Sequence, residues 1–300
     1  MRPAPARLLL ACLAATVAAP RPAHAYVRYY TEAGAAFYWA RARLTLTAYV
    51  RDFDQASMTP DQVTNAIMQS AASWSAAQNG CTYLTLAPAT SNDPAPRAAN
   101  DARNSLIFRS SSWCQLAADG SCEVDYDASA LAFTWDTANK TTGQIYDADI
   151  EVNLHDFQWA DVVADPTRAS AMDLQNALTH EMGHFVGLDH TCYDSLSPNT
   201  TSPPIDSTGM PVPDCRTAPP AVQETTMYPS AMAGDTQKRT LAPDDQNGLC
   251  SIYPIDDPPP ADGVLQGGCG LGGGDGTPAP LALALVSGAM VWIRARRRRA

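Results

Sequence analysis

Between positions 180 and 190 the chain reads His180-Glu181-Met182-Gly183-His184-Phe185-Val186-Gly187-Leu188-Asp189-His190. On a helix, residues four apart stack one turn above each other, so His180 and His184 can offer imidazoles to one metal ion. Gly187 lets the chain leave the helix through a left-handed conformation that glycine adopts cheaply, and His190 can then swing back to the same ion. Three neutral imidazoles at about 2.0–2.1 Å leave zinc one open position, which marks a catalytic rather than a structural site. Glu181 sits too far round the helix to ligate with them. It can reach a water at the open position, take its proton, and later pass that proton to a departing amine. Only four histidines, these three and His155, lie in residues 26–257, and His155 reads as an ordinary exposed residue.

The elements that must hold these side chains follow from spacing. Leu174, Leu178, Met182 and Phe185 form the buried stripe of the histidine-bearing helix, with Ser170 as its start, Asp173 as a capping-box partner and Gly187 as its end. Leu44 to Val50 is rich in β-formers and predicts a strand. Thr59-Pro60-Asp61 reads as an N-cap followed by proline, and Val63, Ala66, Ile67, Ser70 and Trp74 carry an amphipathic helix on toward Ala77. Further strands are expected at Thr82–Leu86, Ser105–Arg109, Leu131–Trp135 and Ile145–Leu154, with a Pro/Ala/Asn-rich loop over 91–104. Thr191 to Thr226 is rich in Pro, Ser and Thr and predicts a long loop. Ala242-Pro243-Asp244-Asp245 opens a last helix. This order predicts an α+β fold, a mixed sheet with helices packed on it.

Both ends have the composition of processing signals. Arg2 and Arg7 precede the apolar run Leu8 to Ala19, and Ala23-His24-Ala25 supplies small residues for cleavage, so residues 1–25 are expected to be a secretory signal peptide. One domain, 26–257, follows, then a Pro/Gly-rich linker, 258–280. Residues 281–300 combine an apolar segment, Leu281 to Ile293, with Arg294 and Arg296 to Arg299. That apolar segment is short against the roughly 17–25 residues of a spanning helix, and the arginines would stay cytoplasmic. The domain carries 12 Lys and Arg against 29 Asp and Glu. Nucleic acid, which needs a basic face, is excluded as a partner; the acidity leaves room for calcium, though no tight calcium loop is legible. Its six cysteines, Cys81, Cys114, Cys122, Cys192, Cys215 and Cys250, read as disulfides with 15 pairings open. Proximity favours Cys114–Cys122 and Cys192–Cys215, leaving Cys81–Cys250.

His180 to His190 matches the H-E-x-x-H-x-x-G-x-x-H signature of the metzincin zinc peptidases, and Thr226-Met227-Tyr228-Pro229 resembles their Met-turn. Within that clan the chain is most similar to the matrixins, the matrix-metalloprotease family, especially compact bacterial members. Leu241 to Tyr253 resembles their final helix, and Thr59 to Ser75 their first. The resemblance implies a zincin-like catalytic domain with an active-site helix and a C-terminal helix. Met227 would form the floor beneath a single catalytic zinc. Leu131 to Trp135, with Ala132 and Phe133, would be the substrate-pairing edge strand; Tyr228, Pro229 and Ala231 would line the pocket for the residue after the scissile bond. Gly267-Gly268-Cys269-Gly270, the apolar segment and the arginines resemble the tripartite MYXO-CTERM tail, which implies sorting machinery and a bacterial surface location.

Three features depart from the matrixin pattern. Histidines for a structural second zinc are missing near the edge strand, since only His155 is available. No Pro-Arg-Cys-Gly latency segment precedes the domain. And 36 residues separate His190 from Met227, an insertion that holds Cys192 and Cys215. The expected activity is that of an exported, monomeric zinc endopeptidase acting on proteins or peptides. Two alternatives stay open: an inactive surface binding or adhesion protein on the same scaffold, and a zinc amidase acting on cell-wall peptides.

Overall fold

The computed structural model describes residues 26–76, 78–196, 202–259 and the backbone of 289–295. The expected signal peptide, nearly all of the linker and the rest of the tail lie outside the described residues. In chain order the elements are β1 (Val27–Arg28), β2 (Arg43–Tyr49), α1 (Pro60–Ser73), β3 (Thr85–Ser91), β4 (Ser105–Arg109), β5 (Cys114–Leu116), β6 (Cys122–Asp125), β7 (Ala130–Ala138) and β8 (Ile145–Asn153). They continue with β9 (Trp159–Ala160), β10 (Met172–Asp173), α2 (Leu174–Phe185), β11 (Leu188–Asp189), α3 (Pro220–Gln223), β12 (Ser230–Ala231), α4 (Pro243–Ile252) and β13 (Ala289–Ala295).

Five strands run in the order β3-β2-β4-β8-β7. The first four are mutually parallel and β7 is antiparallel to β8. Beyond β7 the same sheet continues into β13 and β12. The α+β expectation with a mixed sheet therefore holds. Helices α1 and α2 pack together on one face, and the core between them and the sheet gathers Leu44, Leu46, Ile67, Trp74, Leu106, Ile150, Leu178, Met182 and Phe185. The stripe expected for α2, from Leu174 to Phe185, is buried throughout. Tyr253, after α4, donates its hydroxyl to Val186 O at 2.9 Å and closes the core from the chain's far end.

Several boundaries differ from the sequence expectation, each for a tertiary reason. Helix α2 begins at Leu174, and Asp173 is itself the N-cap rather than a capping-box partner of Ser170. Its Oδ1 accepts from Asn176 N, its Oδ2 accepts from Val162 N, and both face the Arg239 guanidinium. Val162 and Arg239, distant along the chain from Asn176, hold the Asp173 carboxylate at the capping position. Helix α1 stops at Ser73, short of Ala77, because Asn79 folds back and donates to the Ser73 and Ser75 carbonyls. Strand β3 runs from Thr85 to Ser91 rather than from Thr82 to Leu86. Thr82 instead spends its hydroxyl on Tyr253 O, and Pro88 is tolerated because β3 is a sheet edge. The β5–β6 hairpin was not anticipated, and the 191–226 loop contains one short helix, α3.

The two disulfides favoured by proximity, Cys114–Cys122 and Cys192–Cys215, are formed, and so is the remaining pair, Cys81–Cys250. Cys81–Cys250 ties the segment just before β3 to α4. Cys114–Cys122 staples the β5–β6 hairpin. Cys192–Cys215 closes the insertion between His190 and Met227.

Candidate metal centre

Helix α2 places His180 and His184 one turn apart, and the chain turns back at Gly187 to bring in His190. Gly187 has φ +95°, and a Cβ there would meet Phe37 O at 2.9 Å, so both conformation and space demand glycine. The returning segment is held as β11, which pairs antiparallel with β1. The three Nε2 atoms converge: His180 to His184 is 3.1 Å, and His190 lies 3.2 Å from each. A triangle of that side subtends roughly 100° at an ion about 2.0–2.1 Å from each nitrogen, close to tetrahedral.

The tautomers make this convergence meaningful. His180 Nδ1 lies 2.7 Å from Thr226 O, and His184 Nδ1 lies 2.8 Å from Leu188 O. A carbonyl only accepts, so each Nδ1 carries the proton and each Nε2 presents a bare lone pair. Burial also holds both rings neutral: it drives the His180 pKa well below its usual value and that of His184 down to about 3. Lone pairs aimed at one point repel unless a cation lies between them. Among the described residues this triad is the one group with metal-ligand spacing. The donor set of three neutral imidazoles fits zinc. His155 stands apart, exposed, with Nδ1 2.9 Å from Asp156.

Glu181 is completely buried. Thr134, on β7, lies with Oγ1 2.7 Å from Glu181 Oε2 and 3.1 Å from its carbonyl oxygen, and its single proton serves one of them at a time. Two residues along β7, Asp136 is buried with no hydrogen-bond partner for either oxygen among the described residues. Burial, then the charge of Glu181, raises its pKa well above the usual range. The shift favours the protonated form of Asp136 and so lessens the negative charge it sets beside Glu181. Tyr29 closes the other side, its ring tilted against His184 at 5.7 Å.

Met227, 1 % exposed, packs beside Gly183 of α2, which lies between His180 and His184 in sequence. Its turn is braced by Asp245 of α4, which accepts from Thr226 N at 2.6 Å and Met227 N at 3.3 Å. Thr226 in turn supplies the carbonyl that orients His180, so α4 reaches the triad through one residue. Gly183 is the complement of this floor: a Cβ there would lie 2.2 Å from Met227 Sδ and 2.8 Å from Trp74 Cζ2. Gly183→Ala should destabilise the protein by about 1–3 kcal/mol through overpacking and weaken metal retention. Urea unfolding with and without added zinc would measure both; an unchanged variant would show that the floor is loose.

The remaining site residues are divided between two walls. Tyr228 is buried against the Cys192–Cys215 bridge and donates its hydroxyl to Cys215 O at 3.1 Å. Pro229 is half-buried beside it, and Ala231 is buried in β12. Lys238, fully buried, donates to the Tyr228 carbonyl, and burial lowers its pKa to about 7. On the opposite wall Ala132 is buried in the main core. Phe133 faces away from it, stacked on Trp113 with centroids 5.2 Å apart. Its ring belongs to an outer cluster with Tyr126 and Trp135, whose polar atoms converge on Glu151, itself paired with Arg109 at 2.5 Å.

Thr134, Gly183, Asp245 and Lys238 had not been singled out as site residues from the sequence. Two had a readable signal: Gly183 is a residue of minimal size between two candidate ligands, and Asp245 follows a proline-bearing helix start. No protein-family model matches the chain, and no curated protein matches it.

Proposed function

We propose that the chain is an exported zinc endopeptidase with a metzincin-type, matrixin-like catalytic domain. The observation that carries this reading is the convergence of three Nε2 atoms, those of His180 and His184 fixed in the ligating tautomer, beside a buried glutamate on the same helix as those two. His180, His184 and His190 would hold the ion. Zinc bound there supplies Lewis acidity and lowers the pKa of a water toward about 7. Glu181 takes the proton of the attacking water on its carboxylate and returns it to the nitrogen of the departing amine. Thr134 holds that carboxylate through its hydroxyl on Oε2. The Thr226 and Leu188 carbonyls keep both helix imidazoles in the ligating tautomer.

All four chemical groups are present and positioned, which favours a working enzyme over an inactive binding scaffold. Three disulfides accord with an oxidising, exported setting. The test is zinc analysis of the purified protein together with cleavage of a mixed peptide library. Zinc-bound protein that cleaves no peptide but releases cell-wall fragments would favour the amidase alternative.

The insertion sets a further expectation. Its ends meet beside the metal centre, where Thr191 N donates to Met227 O at 3.2 Å. Closing a loop of this size is credited with roughly 3 kcal/mol in the chain-entropy account. Replacing Cys192 and Cys215 with serine should leave zinc bound and short peptides cleaved, while changing selectivity among folded proteins. The comparison is turnover of a fluorogenic peptide against that of a folded protein; parallel loss of both with loss of zinc would mean the bridge supports the metal centre itself.

A further inference from the structure

The end of the chain lies where the sheet would otherwise have an edge. β13 pairs antiparallel with β7 along Ala289↔Asp136, Met290↔Trp135, Val291↔Thr134, Trp292↔Phe133, Ile293↔Ala132 and Arg294↔Ala130. On its other side β13 pairs in parallel with β12, Ser230 opposite Arg294 and Ala231 opposite Ala295. It also runs against α2, the helix that carries His180, Glu181 and His184. The register sets Val291 opposite Thr134, the residue whose hydroxyl meets Glu181. Residues 289–295 thus lie between the strand that positions the glutamate and the segment that follows Met227. In the sequence, residues 289–293 belong to the apolar segment of the expected sorting tail, and Arg294 opens its arginine cluster.

An unpaired strand edge exposes a row of amide and carbonyl groups and captures extended chain by main-chain hydrogen bonds. Whatever lies along β7 and β12 excludes every other strand from the same groups. We infer that residues 289–295 are an intramolecular ligand of this cleft, a tethered strand that competes with extended polypeptide for β7. The inference rests on the endopeptidase reading only for the identity of the competitor. A ligand on the same chain acts at an effective concentration of millimolar order, enough to suppress weakly bound substrates without any separate inhibitory domain. Release of the tail would then raise activity.

The test compares the full chain with its V291P/W292P variant. Successive amides of a strand face opposite neighbours, so one of these prolines removes a donor toward β7. Hydrogen exchange at the β7 amides, Ala130–Ala138, should become about tenfold faster or more in the variant, with zinc content unchanged. A labelled peptide of sequence 287–297 should bind the variant and not the parent chain. Cleavage of an internally quenched peptide should rise about tenfold, the competition of a millimolar ligand being removed. Equal exchange in both proteins, with no binding of the peptide to the variant, overturns the inference. So does faster exchange with unchanged cleavage by an active parent. If neither protein cleaves anything while exchange and peptide binding change as stated, the cleft occupancy stands and the endopeptidase reading is what fails.

Discussion

Glu181→Gln is expected to cost about 10²–10⁴-fold in kcat/KM while zinc content and thermal stability stay near those of the parent. The amide keeps the size of the carboxylate and can still meet the Thr134 hydroxyl, which lies 2.7 Å from Oε2. What it lacks is the capacity to accept a proton from water and return it to the leaving nitrogen. The ligands are untouched, since His180 and His184 take their orientation from the Thr226 and Leu188 carbonyls. Peptide turnover, zinc analysis and a melting curve on the same preparation suffice. Activity within a few-fold of the parent would remove Glu181 from the mechanism.

Removing the metal should abolish cleavage and soften the whole domain. Three Nε2 atoms held within 3.1–3.2 Å of one another, with bare lone pairs on His180 and His184, are well served by a cation at their centre and poorly placed without one. Their backbone anchors come from α2, β11 and the Met227 turn, so relaxation of the triad propagates into each. For an ion present at a thousand times its Kd the stabilisation is about 4 kcal/mol, a melting shift of roughly 8–16 °C for a domain of this size. Chelation followed by re-addition of zinc should lower and then restore both melting temperature and activity. Calcium-saturated protein should bind one zinc per chain. Two tightly held zincs would mean that a second site forms away from the triad. His184→Ala should reproduce the chelated state and resist rescue by zinc, because two imidazoles cannot replace the third at the same point.

The local parts of this design were readable because they depend on residues close in sequence. Spacing of four along a helix brings His180 over His184, and Gly187 turns the chain so that His190 returns, whatever packs outside. The proline-opened helices α1 and α4 and the strand β4 likewise follow from short stretches of chain. The pairing of Cys114 with Cys122 and of Cys192 with Cys215 followed from separations of 8 and 23 residues.

Long-range partners decided the rest. Thr134 meets Glu181 from 47 residues away, and Asp245 braces the Met227 turn from the following helix. A threonine in a strand is ordinary, so nothing local selects Thr134; Asp245 is marked by its proline-bearing helix start, but its partners lie 18 and 19 residues upstream. Asp173 became the cap of α2 rather than a capping-box partner because Val162 and Arg239 claimed its oxygens. Phe133 turned outward because strand alternation and the β5–β6 hairpin offered its ring Trp113. The final strand shows the limit most clearly. Residues 281–293 are apolar enough to suggest a membrane segment by composition, yet 289–295 pair with β7, some 150 residues upstream. Apolar, β-branched chain satisfies either environment; only the presence of an open edge beside Thr134 and β12 selects the strand.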